Sequence, residues 1–85
     1  MPSPENHQLT IKRIAEALTS ERIRLGLSQN QVAIRARLNS TMVMRVEKME
    51  RTPSIDTLLR IAGALGMELG AVITAATKTR PAKPE

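Results

Sequence analysis

One local pattern recurs three times in this chain and restricts it to short helices: a leucine, then a residue able to cap a helix, then a β-branched residue. It appears as Leu9-Thr10 with Ile14, Leu27-Ser28 with Val32, and Leu38-Asn39 with Val43. The capping oxygen accepts a hydrogen bond from a free N–H of the first turn, while the leucine staples onto the β-branched side chain. Ser28 with Gln31 adds a capping box. These starts predict helix 1 over about 11–25, closed by Gly26, helix 2 over about 29–36 and helix 3 over about 40–49. A fourth helix follows Pro53, with Ser54 as cap, Asp56 in the first turn, and Ile55, Leu58, Leu59, Ala62 and Leu65 on one face before Gly66.

The segment 67–75, MELGAVITA, reads as a short last helix or as a strand. The missing cap after Gly66, the internal Gly70 and the β-branched run Val72, Ile73, Thr74 favour a strand. A lone strand leaves its backbone unpaired, and the same strand of a second copy about a two-fold axis would pair it. The expected fold class is all-α, a bundle of four to five helices with a short C-terminal β-strand pairing across a dimer.

Composition narrows the partner. Lys and Arg number 13 against 8 Asp and Glu, a net charge of +5, which favours a polyanion. Aromatic residues are absent, which removes the stacking platforms on which single strands and unpaired RNA bases are held, so duplex DNA is the better polyanion. The absence of Cys excludes disulfides, thiolate catalysis and Cys-ligated zinc, and suits a reducing, cytoplasmic setting. No apolar run reaches the length of a membrane span, and the first residues lack the pattern of a signal peptide. His7 is the sole histidine and has no catalytic companion, so neither an enzyme nor a metal centre is expected; Gly63 and Gly66 form no phosphate loop, and no cofactor is implied.

Only residues 37–39 separate helices 2 and 3, the short turn of a helix-turn-helix, and a helix of this diameter fits the major groove of B-DNA. Helix 3 carries an apolar stripe of Met42, Val43, Val46 and Met49, leaving Thr41, Met44, Arg45 and Lys48 on the other face with Ser40 at its start. Taken alone, Arg45 and Lys48 are as readily a solvated face as a reading face. Met44 could touch a thymine methyl or cover a neighbouring surface. Arg22 on the helix 1 stripe and Glu47 beside Val43 and Val46 both point inward, and charges that turn inward must pair.

The stretches RIRLGLSQNQVA, RVEK, RTPS and SIDTLLRIAGALGMEL, across about 22–68, resemble the Cro and lambda-repressor type of helix-turn-helix protein, the XRE family. The resemblance implies that Gln29, opening helix 2, contacts the DNA backbone or a base edge, and that Asn39, Ser40, Thr41, Met44 and Arg45 read bases. Lys48 and the Arg51 of RTPS join them as DNA-binding candidates. Arg22 and Glu47 correspond to a family salt bridge joining helix 1 to the reading helix. The family usually has Gly where this chain has Arg37 and Met49. A left-handed Arg37 would cost about 1–2 kcal/mol, so either the turn is reshaped or Arg37 offsets the strain with a phosphate contact.

The domain organisation expected is a flexible N-terminal arm 1–9, a helix-turn-helix DNA-binding domain 10–76 with a dimerisation segment 67–75, and a flexible tail 77–85. The function expected is a double-stranded DNA-binding transcriptional repressor acting as a homodimer on an inverted repeat. The strand-like end, the short length and the lack of a ligand domain are also similar to HipB-like antitoxins, whose implied partner is a HipA-like kinase toxin. The competing reading is a protein-interaction module built on Met42, Met44 and Met49.

Overall fold

The computed structural model describes residues 4–78, with side chains from 7 to 77. Five helices follow one another among the described residues: α1 (Pro4–Arg24), α2 (Gln29–Ala36), α3 (Ser40–Glu47), α4 (Ile55–Ala64) and α5 (Leu69–Lys78). Helix α2 crosses α3 and α4, α1 lies on α3 and α5, and α4 also touches α5. The core between them is wholly aliphatic, with Ile14, Leu18, Val32, Val43, Val46, Leu58, Ile61 and Leu65 at its centre.

The starts of α2, α3 and α4 are set locally. Ser28, Asn39 and Ser54 each sit in extended backbone and accept from the N–H three residues on, and Ser28 with Gln31 closes a full capping box. The ends share one device. At Gly26, Arg37, Met49 and Gly66 the chain turns left-handed, and the next residue's N–H reaches back across the turn: Leu27 to Arg22, Leu38 to Ala33, Glu50 to Arg45 and Met67 to Ala62. This is the Schellman closure, and Leu27, Leu38 and Met67 also pack on the core, as its hydrophobic contact requires. The turn after α2 is therefore not reshaped for want of glycine: Arg37 takes φ 58° and Met49 φ 57°.

Three expectations need correction. Helix α1 begins at Pro4, so Leu9-Thr10 lies inside it instead of capping it, and the part of the expected arm from Pro4 on is helical; proline is well placed in a first turn, where its missing N–H costs nothing. Residues 1–3 and 79–85, the rest of the expected arm and most of the expected tail, lie outside the described residues. The expected C-terminal strand is helix α5. Its cap is Glu68, whose carboxylate accepts from Ala71 N–H at 2.8 Å, and its Leu69, Val72 and Ala76 are buried at helical spacing. Thr74 and Thr77 turn their hydroxyls back onto the carbonyls of Gly70 and Ile73, which β-branched hydroxyls do within helices. The backbone of 69–78 is thus paired within its own helix, and strand pairing across a dimer loses its ground. The α4 stripe is also shifted from the one expected: Leu58, Ala62 and Leu65 are buried together with Thr57 and Ile61, but Ile55 and Leu59 are exposed.

Candidate nucleic-acid interface

Helix α3 is anchored to the rest of the fold through Glu47. Arg22 Nε donates to Glu47 Oε2 at 2.7 Å and its Nη2 to Oε1 at 3.1 Å, a bidentate fork, while Nη1 donates to the Leu27 carbonyl at 2.8 Å. Gln29 Nε2 donates to Glu47 Oε1 at 2.9 Å. One carboxylate thereby ties α1, the turn after it and the start of α2 to the end of α3. The two side chains keep 16% and 11% of their surface exposed, so most of the charge is sheltered and the fork supplies the partners that sheltered charges need. Gln29, expected at the DNA, has its amide nitrogen committed to this network.

The outward surface of α3 opens with Ser40 and Thr41, both exposed, and continues with the half-buried Met44 and Arg45. Asn39 is exposed and accepts from Met42 N–H at 2.8 Å, so its carbonyl oxygen is engaged as a cap. Arg45 lines a groove with Arg51, Thr52 and Ser54, between α3 and the start of α4. Two cations and, with Thr57, three hydroxyl-bearing residues are brought together there. RTPS read as a helix start does not disclose that its Arg and Thr line one groove with Arg45.

The remaining candidates fall elsewhere. Lys48 lies with Met49 in a groove against Lys12 and Glu16 of α1, so Lys12 joins it as a cation that the sequence reading missed. Its only signal was a place on the polar side of helix 1. Arg37 is exposed but lines a third groove with Arg35 and Arg60, apart from both α3 surfaces. Among the described residues no group of acidic or His side chains could hold a metal, and no single helix is long and apolar enough to cross a membrane.

Comparison with known proteins bears on this arrangement. Residues 18–72, well over half of the chain, match the family model described as helix-turn-helix. An uncharacterized HTH-type transcriptional regulator of Haemophilus influenzae is 36% identical over 64 residues, covering 75% of this chain and 64% of the relative. An immunity repressor protein of Bacillus phage phi105 is 32% identical over 65 residues, covering 76% of this chain and 43% of the relative. The chain therefore matches less than two thirds of either relative's length. No solved structure matches. The matched span runs from Leu18 in α1 to Val72 in α5 and takes in the α2–α3 pair with its short turn, the Glu47 anchor and the α3 surface. By that match, and by the two repressor- and regulator-named relatives, the chain belongs to the XRE type of helix-turn-helix family.

Proposed function

We propose that this chain is a sequence-specific, duplex DNA-binding transcriptional repressor that acts as a homodimer on an inverted repeat. The observation carrying the proposal is the outward surface of α3, exposed at Ser40 and Thr41, flanked by the Arg45–Arg51 groove and held by the Glu47 anchor. Ser40, Thr41, Met44 and Arg45 read base edges, and Arg45 offers the fork that suits guanine. Arg51 and Lys48 meet phosphates, which position the protein without reading sequence. Gln29 and Asn39 hold the helices in place, the first through Glu47 and the second as a cap. The repressor-named relative and the net charge of +5 support the same reading. Of the three features behind the HipB-like alternative with a HipA-like kinase partner, the C-terminal strand is replaced by helix α5, and the short length and lack of a ligand domain point to no such partner by themselves.

Binding-site selection from random duplexes tests the reading, followed by Arg45→Ala on the selected site. The variant should lose about 1–3 kcal/mol and relax preference at one base pair of each half-site. A uniform loss on all sequences would make Arg45 a phosphate contact. Two copies of Arg51 and Lys48 predict a slope of about −4 in log affinity against log salt. A flat salt response with no selected sequence would remove DNA as the partner, and an asymmetric selected site bound by one copy would remove the dimer.

A further inference from the structure

The third groove runs between the end of α2 and the later turns of α4 and shares no residue with the α3 surface. Arg35, Arg37 and Arg60 rim this shallow, open groove, which Ala36, Gly63, Ala64 and the exposed Leu59 also line. Arg60 pairs with Asp56 of its own helix at 2.9 Å and donates to the Ala36 carbonyl at 3.5 Å, but neither Arg35 nor Arg37 has an ion-pair partner among the described residues. Arg37 is also held left-handed, where glycine would be relaxed, and its exposed side chain gains no burial in return.

The wall of the groove distinguishes between anionic partners. Phosphates would use the unpaired guanidinium groups of Arg35 and Arg37 and leave Leu59, 54% exposed, facing water. An acidic segment with an apolar side chain would use both, its carboxylates in the arginine forks and its apolar group on Leu59 and the small residues beside it. A second copy of this chain does not offer such a segment: of its 8 acidic residues four are engaged, Glu21 by Arg24, Glu47 by Arg22, Asp56 by Arg60 and Glu68 as the cap of α5, and the other four, at 5, 16, 50 and 85, lie far apart in sequence. We propose that this groove docks an acidic, amphipathic segment of a partner protein, leaving the α3 surface free for DNA.

The test titrates the isotope-labelled full chain with a synthetic peptide of glutamate and leucine and with its glutamine-for-glutamate counterpart, following backbone amide shifts. Shifts should gather at Arg35, Arg37, Leu59 and Gly63 with the acidic peptide alone. Arg37→Gly keeps the turn, since glycine accepts the left-handed conformation, and should weaken peptide binding about tenfold. Arg35→Ala with Arg60→Ala should abolish it while leaving duplex affinity within about twofold. Peptide shifts at Arg45 and Arg51, or none at all, would overturn the proposal. So would a loss of duplex affinity in the Arg35→Ala, Arg60→Ala variant, which would give the groove to the phosphate backbone instead.

Discussion

The two left-handed non-glycine residues make a matched pair with different costs. Arg37 is exposed, so Arg37→Gly removes about 1 kcal/mol of strain and little packing, and should raise Tm by about 4–8 °C in a domain this small. Met49 is half-buried in the groove against α1, so in Met49→Gly the same relief is offset by lost apolar contact of similar size, and the melt should barely move. Equal gains in both variants would show that Met49 contributes no packing. Glu47 is the residue with most to lose. Glu47→Ala strands the Arg22 fork and the Gln29 amide in a sheltered site, and chemical denaturation should show a loss of about 2–4 kcal/mol, below the figure for a fully buried pair because both charges keep a solvent edge. Arg22→Met with Glu47→Leu should lose less than the single change. A single variant as stable as the parent would mean the anchor is solvated.

At the scale of the element, α5 turns on two neighbouring residues. A Cβ built at Gly70 would stand 3.1 Å from Glu68 Oε2, tighter than an ordinary contact, so glycine leaves room for the carboxylate that caps the helix. Gly70→Ala alone pits a helix-propensity gain of about 1 kcal/mol against a displaced cap of similar value. In a Glu68→Ala background the cap is already gone, and Gly70→Ala should stabilise by the full amount. A double-mutant cycle by denaturant titration reads the coupling; additivity would show that the cap shifts aside without cost. In helix α4 the buried stripe is Thr57, Leu58, Ile61, Ala62 and Leu65, with Ile55 and Leu59 left on the outside and Leu59 lining the arginine groove.

For the whole molecule, α5 is part of the fold's closure and not an appendage. It buries Leu69, Val72 and Ala76 against the same core as Ile14 and Leu18 of α1. Burying the two larger side chains is worth about 3–6 kcal/mol, a large share of the stability of a small domain. Ending the chain after Leu65 should therefore abolish the cooperative thermal transition. A truncated chain that still melted cooperatively, binding a half-site as a monomer, would show α5 to be dispensable. The α3 surface and the arginine groove share no residue, and α2, whose end forms part of the groove, packs on both α3 and α4.

The sequence by itself determined what depends on bonds between near neighbours. Ser28, Gln31, Asn39 and Ser54 set the starts of α2, α3 and α4, Gly26 and Gly66 set two ends, and the inward charges of Arg22 and Glu47 were legible from helix phase alone. Tertiary structure decided where local signals were balanced or silent. Residues 69–78 carried β-branched side chains and no favoured cap, and burial against α1 together with a glutamate cap made them helical. The grouping of Arg45 with Arg51, of Lys48 with Lys12 and of Arg37 with Arg60 was equally hidden. Capping and turn geometry act within a few residues of chain, whereas the faces that meet across a bundle are chosen by the burial of apolar surface contributed by all the helices together.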